Sequence, residues 1–535
     1  MADPGNDSRE SADADGKEGQ AYSRYVLFVL LLVYIVNFVD RTILSILAED
    51  IKADLGISDA DLGFLYGTAF AVFYAVFGIP ISRLADMWNR KKLISIGLCF
   101  WSVMTVLSGS ARGFAGLAVF RFGVGIGESS ASPAAFSMLC DYFSPKFRAT
   151  VLAIYSSGIY IGAGLGLFLG GYIVDTWNGW YPQGNAPLGM AGWQAAFVAV
   201  GVPGVFLAAW VATLREPVRG KTEGLIQPKH PQPFREFGLE LASIVPPFSL
   251  LALYRSGAGF RALRLNFLIA IVIAICAYAL IAWLHTPAQW IGLGIGVYVF
   301  LTWVQNLAHR DHATFEMIYG SRALVYGMVG FGWHAFVAYG IGFFQAPYLI
   351  RMHGVTATEV GLYVGLPSAI AGLIGVTGGG VLSDWLKSRT PKARPQIGMS
   401  VAMVSILPAL VLLTTKNVVI AYIACFFYAL LASAWLGSCV AMANELVLPR
   451  MRAASSAFYI VCVTFLGLAL GPYAIGRTSD WLAATMPAAD ALRSAMMLVL
   501  SVEILAAVFL WRSCRYVAAE ESSRLDRARA AGEVV

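Results

Sequence analysis

Four ionisable residues interrupt apolar stretches of this chain, and their chemistry is hard to explain by packing alone. Asp40 and Arg41 are neighbours in one stretch, whereas Arg121 and Glu128 lie seven residues apart in another. A charged side chain at the centre of a membrane helix costs roughly 2.5–3.5 kcal/mol on insertion scales. Because a spacing of seven places two side chains on one helix face, Arg121 and Glu128 are expected to point the same way. The four residues together predict one polar cluster.

Two hypotheses account for this cluster. A buried carboxyl group beside an arginine exchanges its proton when the partner moves or water enters, so Asp40 and Glu128 are candidate proton carriers. Arg41 and Arg121 are then candidates for binding an anionic substrate, or for changing their ion-pair partner during transport. The competing hypothesis is a structural ion pair that joins two helices without contacting a ligand. The same two alternatives apply to His334, a lone histidine in a later apolar stretch.

Composition indicates the environment of these residues. Of the 535 residues, 58% are hydrophobic and only 13% are charged, against about a quarter charged in a typical soluble domain. The apolar content also excludes a disordered chain. About fourteen stretches are long enough for a helix that crosses the hydrocarbon layer, which takes roughly 20 residues. The sequence therefore predicts an all-α polytopic membrane protein.

Charged segments divide these stretches into two groups of six and one pair. The predicted organisation is an N-terminal tail (1–24), a six-helix bundle (25–214), a linker (215–264), an additional transmembrane hairpin (265–308), a second six-helix bundle (322–511) and a C-terminal tail (512–535).

Basic residues concentrate in alternate short loops, and such loops face the cytoplasm. The 83–92 and 384–395 loops are basic, whereas the 49–61 loop is acidic. Both tails and the linker are thus predicted to be cytoplasmic, in a bacterial inner membrane. Below, this predicted cytoplasmic side is called the inner side and the opposite one the outer side.

Two polar signatures recur about 300 residues apart, which indicates two homologous halves. Asp86 is echoed by Asp384, each followed by basic residues, and Asp141 is echoed by Glu445. Asp86 is predicted to pair across the inner seam between the halves only when that side is closed. The residues assigned to this inner gate are Asp86, Arg90, Lys91, Asp384 and Arg389.

The loop Leu84-Ala85-Asp86 followed by Arg90 and Lys91 resembles a signature of the major facilitator superfamily, although Ser82 stands where that signature has glycine. Within it, the segments 37–44 and 121–128 and the 214–217 sequence Leu-Arg-Glu-Pro resemble the Spinster family. The resemblance implies a proton-linked or facilitative carrier of lysophospholipids or sphingolipids. It also implies roles for Asp40, Arg121 and Glu128 in protonation and substrate-linked switching. The extra hairpin departs from the usual twelve-span plan.

The functional hypothesis is a secondary transporter that works by alternating access and moves a small amphipathic, lipid-like substrate. Aromatic residues of spans 7 and 10, counted without the hairpin, are expected to form an apolar wall opposite the charged cluster. Alternatives are an organic-anion or sugar-acid symporter and a multidrug exporter, with a membrane sensor less favoured. We expect no enzyme activity, and no metal or cofactor apart from a coupling proton. The expected partners are the small amphipathic substrate and the lipid bilayer, without nucleic acid, and the protein is expected to be a monomer.

Overall fold

The computed structural model describes residues 4–144, 146–182, 185–220, 230–245, 248–255 and 259–533. Within these ranges the chain is helical, as predicted, and the spans of the two halves are numbered 1 to 12 without the hairpin. The helices of the first half are Pro4–Ile46 (span 1), Ala48–Leu55 (a short outer helix), Asp59–Tyr66 and Thr68–Met87 (span 2), Arg90–Ser108 (span 3), Phe114–Glu128 and Ala131–Tyr142 (span 4), Arg148–Trp180 (span 5) and Gly192–Ala212 (span 6).

The remaining helices follow the same plan. They are Pro233–Ile244 and Phe248–Arg255 in the linker, Gly259–Leu284 and Pro287–Arg310 in the hairpin, the short helix His312–Tyr319, then Arg322–His353 (span 7), Ala357–Val360, the π-helix Gly361–Gly365 and Leu366–Lys387 (span 8), Ala393–Thr414 (span 9), Val418–Ser433 and Leu436–Glu445 (span 10), Arg452–Val461, the π-helix Cys462–Ala469 and Gly471–Leu482 (span 11), Ala488–Leu500 and Val502–Ser522 (span 12), and Arg524–Ala530.

Thirteen helices of the described residues are long and apolar enough to cross a membrane. The fourteenth predicted stretch, 113–135, forms two shorter helices because the chain turns after Glu128, at Ser129 and Ser130. Span 10 is broken in the same way between Ser433 and Leu436. The equivalent spans of the two halves thus share one irregularity, and the first break places Glu128 at a helix end.

Each half carries a buried arginine that joins two carboxylates at its inner side. Arg90 is fully buried and pairs with Asp141 at 2.5 Å and with Glu216 at 2.8 Å. Arg394 pairs in the same manner with Asp384 and Glu445. The counterpart of Arg90 in the second half is therefore Arg394 and not the predicted Arg389.

We expect Arg90→Ala to destabilise the first half by about 2 kcal/mol. Removing one partner of a fully buried ion pair costs 3–5 kcal/mol, but Asp141 and Glu216 are partly exposed and regain water. Thermal unfolding in detergent should show a midpoint lowered by about 5 °C. Arg83→Ala is the control, because Arg83 is 63% exposed and lies 3.7 Å from its partner Glu240. Equal midpoints for the two variants would contradict a stabilising role for Arg90.

Span 5 contacts both halves through glycines. Gly162, Gly166 and Gly170 face span 1, whereas Gly164 and Gly171 face span 8. A Cβ atom added to Gly164 would lie 2.5 Å from the carbonyl oxygen of Gly365. Close backbone approach of this kind is the usual use of small residues between membrane helices. Span 5 therefore belongs to the first half and forms much of the contact with the second.

Candidate functional site

The four buried charges form two crossed contacts between spans 1 and 4. The guanidinium of Arg41 donates to the Glu128 carboxylate at 2.7 Å. The guanidinium of Arg121 donates instead to the backbone carbonyl of Asp40 at 3.1 Å. Adjacent residues of a helix point about 100° apart, so Asp40 and Arg41 face different surroundings. The predicted cluster is thus present, and its pairing was not evident from the sequence.

Arg41 is the member of this cluster that faces the space between the halves. Its guanidinium also lies over the rings of Phe70, at 4.1 Å, and Phe38, at 4.7 Å. Aromatic faces attract a cation within about 6 Å of the ring centroid. The ring of Tyr74 lies 5.4 Å away, so the charge of Arg41 is held in place by Glu128 and by three rings.

Asp40 lies behind this pair, in the interior of the first half. Its side chain is fully buried, and Trp101 and Thr105 are its hydrogen-bonding neighbours. Arg121 is also fully buried, and its Nε and Nη2 atoms have no hydrogen-bond partner in the described part of the chain. Burying charged groups in this way is costly, which makes these two residues candidates for a role beyond packing.

A cavity lies between the two halves, beside Arg41. Its walls come from spans 1, 2 and 4 on one side and from spans 7 and 11 on the other. The lining residues are Tyr34, Asn37, Phe38, Arg41, Phe70, Tyr74 and Ser132 of the first half, and Tyr339, Tyr459, Ile460, Val463, Thr464 and Leu468 of the second.

The second wall differs from the predicted one. Of the aromatic residues expected there, Tyr339 lines the cavity. Phe343 and Phe344 are buried in the core, and Phe427 is exposed on the surface of the protein. Span 11 supplies the other lining residues in place of span 10. These span 11 residues, from Tyr459 to Leu468, are spaced by one, three or four positions, which places them on one helix face. This spacing was the sequence signal that could have predicted the second wall.

His334 lies outside this cavity. Its Nδ1 atom is 3.0 Å from both carboxylate oxygens of Glu503, and both side chains are buried. The ring also stands edge-on to that of Trp435, with centroids 5.6 Å apart. The contact joins spans 7 and 12 of one half, so the structure does not bring His334 to the other predicted site residues.

The outer side of the seam is closed by an ion-pair network between the halves. Arg351 of span 7 donates two hydrogen bonds, at 2.7 and 2.8 Å, to the carboxylate of Asp59 in span 2. Arg351 also pairs with Glu49, and Lys52 lies 2.6 Å from Asp59. The Asp480 carboxylate of span 11 accepts hydrogen bonds from the first backbone N–H groups of span 2. This network was not predicted, because its members lie near the ends of apolar stretches and far apart in sequence.

The inner side of the seam has no counterpart of this network among the ion pairs of the described residues. Arg90 and Asp141 pair within the first half, whereas Arg394 pairs with Asp384 and Glu445 within the second. Among these ion pairs, those that join the halves therefore lie on the outer side of the cavity beside Arg41.

The predicted gate residues make their contacts within their own halves. Arg90 and Asp384 belong to the two buried arginine clusters, and Lys91 donates to the carbonyl oxygens of Ala212 and Leu214. Arg389 stacks on the ring of Trp385.

Asp86 makes no ion pair within the described residues; its backbone carbonyl accepts a hydrogen bond from Arg219. Among the described residues, Asp86 therefore forms no ion pair across the seam, and its role as a latch in the closed state stays a prediction.

One ion pair outside the spans bears on any response to pH. Arg450 donates to Asp311 at 2.6 Å, and this hydrogen bond lowers the pKa of Asp311 to about 2. A lowered pKa means that the stabilising contribution is present above the ordinary value near 4 and is lost only as the pH falls towards 2. The pair thus stays charged from pH 5 to 8, and a pH response in that range must come from other groups.

Known proteins share this fold and much of this sequence. A family model described as the Major Facilitator Superfamily matches residues 30–472. This chain therefore belongs to the Major Facilitator Superfamily, and it is a multi-pass membrane protein of a transporter family.

Three relatives indicate the range of functions near this chain. An MFS-type efflux pump of Mycolicibacterium smegmatis is 27% identical over 492 residues, which are 91% of this chain and 92% of that protein. The crystal structure of a bacterial homolog of the human lysosomal transporter Spinster, inward-facing and unoccupied, aligns with a TM-score of 0.69 and 27% identity over 93% of this chain and 98% of that one. A probable galactarate/D-glucarate transporter of Bacillus subtilis is 30% identical over 200 residues, 36% of this chain and 41% of that protein. The predicted resemblance to Spinster proteins is confirmed.

Proposed function

We propose that this protein is a proton-coupled secondary carrier that works by alternating access and moves a small amphipathic, lipid-like anion or zwitterion of the lysophospholipid or sphingolipid type. The observation that carries the proposal is the position of Arg41. It is the charged side chain that lines the cavity between the halves, and it is held by Glu128. An anionic headgroup would compete with Glu128 for this guanidinium, through charge-assisted hydrogen bonds.

The rest of the cavity supports an amphipathic substrate. Ile460, Val463 and Leu468 give the second wall an apolar strip, opposite the polar Asn37 and Ser132. A headgroup bound at Arg41 would therefore leave its acyl chain against span 11. Because an ion-pair network joins the halves on the outer side and has no counterpart among the described ion pairs of the inner side, we take this state as the inward-facing member of an alternating-access pair.

Proton coupling is assigned to the two carboxyl groups of the cluster. Glu128 would take up a proton when the substrate displaces it from Arg41, because an unpaired charge is costly in the membrane. Asp40 would exchange its proton as Arg121 moves. A proton that moves through 100 mV supplies about 2.3 kcal/mol, which is enough to bias a two-state equilibrium.

Uptake into proteoliposomes tests the proposal directly. The panel consists of lysophospholipids, sphingoid bases, sugar acids and cationic drugs, each with and without a pH gradient. Accumulation of a lysolipid that depends on the gradient would support the proposal, and no movement of any lysolipid would contradict it.

Asp40→Asn should separate transport from its driving force. Removing the carboxyl without changing the shape of the side chain leaves the cavity intact, so downhill exchange should continue. The pH gradient should then no longer raise accumulation above the equilibrium level. Asp54→Asn, at the outer end of the first half, is the control and should keep the effect of the gradient. Gradient-driven accumulation by Asp40→Asn at the wild-type level would exclude Asp40 as a coupling group.

A second candidate is an organic-anion or sugar-acid symporter. Tyr339, Tyr459 and Thr464, which all carry a hydroxyl group, line the second wall, where they could bind the hydroxyls of a sugar acid. The same panel distinguishes the two: a symporter of this kind would accumulate the sugar acid and leave the lysolipid outside.

A further inference from the structure

The hairpin between the two halves has no role in the function proposed so far. Its two helices are joined by Asn266, which is fully buried and donates to Thr302 at 3.0 Å and to Gln305 at 2.9 Å. Tyr298 donates to the same asparagine side chain at 2.7 Å. Polar residues of this kind hold membrane helices together. The hairpin is therefore one unit, in which the second helix positions the first.

The second hairpin helix lies on the seam between spans 2 and 11. Gly296 faces Val72 of span 2 and Phe465 of span 11. Near the outer end, Gln289 lies between the same spans and is 1% exposed. The helix thus contacts both halves at the depth where the seam is closed.

Thr68 of span 2 is the polar centre of this junction. Its hydroxyl has two acceptors, the Gln289 side-chain oxygen at 2.7 Å and the Ala469 carbonyl of span 11 at 2.9 Å. The Gln289 amide donates to the same carbonyl at 3.4 Å. Three helices, from the first half, the second half and the hairpin, therefore share one buried group of hydrogen bonds.

The other polar contacts attach the hairpin to the second half. Near its outer end, Thr286 lies 2.5 Å from the hydroxyl of Tyr473 in span 11. At its inner end, Asp311 pairs with Arg450, which precedes span 11. The same helix also packs along span 2, where Gly292 faces Thr68 and Phe64. Separation of the halves on the outer side must therefore break its contacts with span 2 or with span 11, and Gln289 takes part in both.

We propose that the hairpin acts as a brace of the outer seam, with Gln289 as the positioning residue that holds span 2 against span 11 in the inward-facing state. This inference rests on the proposed alternating access, because only a carrier that opens on both sides must break the contact. Outward opening would leave the Thr68 hydroxyl and the Gln289 amide without these partners in an apolar environment, where unpaired polar groups are costly. The brace thus favours the outer-closed state.

The test compares two glutamines of the same helix. Gln289 reaches across the seam, whereas Gln305 bonds within the hairpin to Asn266 and to the Ala262 carbonyl. Spin labels are placed at Arg112 and Lys416, in exposed outer loops of the first and second halves. The distance between the labels, measured by double electron–electron resonance, reports the opening of the outer side. We expect Gln289→Ala to raise the ratio of outward-open to inward-open molecules about fivefold and Gln305→Ala to leave it unchanged.

Thr68→Val provides a second, independent variant. It removes the hydroxyl that serves both acceptors, so it should shift the ratio further than Gln289→Ala does. The brace would be overturned if Gln289→Ala and Gln305→Ala changed the ratio of outward-open to inward-open molecules equally. It would also be overturned if Gln289→Ala left this ratio unchanged, or if Thr68→Val did. The measurement needs no substrate. A shift in a protein that transports no panel compound would therefore keep the brace and refute the proposed substrates, whereas normal transport without a shift would do the reverse.

Discussion

Arg351→Ala should open the outer side of the protein. Arg351 donates two hydrogen bonds to Asp59, which is 2% exposed. Truncating one partner of such a pair costs 3–5 kcal/mol, because the other charge stays buried, and the remaining contact of Lys52 with Asp59 puts the expected loss at the lower end. The cost falls only on the outer-closed state, since the halves separate in the other. A loss of about 3 kcal/mol would change the ratio of the two states by roughly a hundredfold.

The same outer labels at Arg112 and Lys416 measure this shift. Arg493→Ala is the matched control, because Arg493 is 39% exposed and its ion-pair partner Asp490 lies in the same helix of the second half. Arg351→Gln keeps most of the side-chain volume and guards against a variant that fails to fold. An unchanged distance distribution in both Arg351 variants would show that the network does not hold the outer seam closed.

Arg41→Ala and Glu128→Gln should change substrate binding in opposite directions. Hydrogen bonds to a charged group contribute about 1.5–3 kcal/mol, so loss of the Arg41 guanidinium should weaken binding of an anionic headgroup by up to about a hundredfold. Glu128→Gln removes the carboxylate that competes for Arg41, and we expect binding to tighten about tenfold. Binding to Glu128→Gln should also depend less on pH, because the displaced group no longer takes up a proton.

Equilibrium binding of a labelled lysolipid in detergent checks both variants, and Arg83→Ala serves as the exposed-arginine control. Weakening by both variants would indicate that the ion pair is needed only to keep spans 1 and 4 together. Wild-type affinity in both would remove Arg41 from the binding site. Either result would contradict the competition between substrate and Glu128.

Composition and repeated signatures were sufficient to predict the membrane class, the two halves and the hairpin, because these depend on counts over long stretches. They also located the charged cluster, since four ionisable residues in apolar stretches are rare. Its internal pairing depends on how each helix is rotated about its axis. The sequence alone does not fix that rotation, and it therefore left Asp40 and Arg41 with interchangeable partners.

Contacts between distant stretches were the part that sequence reasoning missed. Arg351 and Asp59 are 292 residues apart, and His334 and Glu503 are 169 apart. Nothing local distinguishes these residues from others near helix ends or on buried faces. Arg394 was missed for a different reason: several basic residues of one loop carry the same charge, and only burial distinguishes the one that pairs.

The two rows of glycines on span 5 have a consequence for the speed of the conformational change. On the side of span 8, the contact at Gly164 and Gly365 is backbone against backbone, and the ring of Tyr160 packs against Gly372 farther towards the inner side. Separating two backbones needs no change of rotamer, so the activation barrier is expected to be low. The ion pairs at the outer end would then determine which of the two states is populated. The glycine contact between spans 5 and 8 would determine how fast the protein interconverts between them.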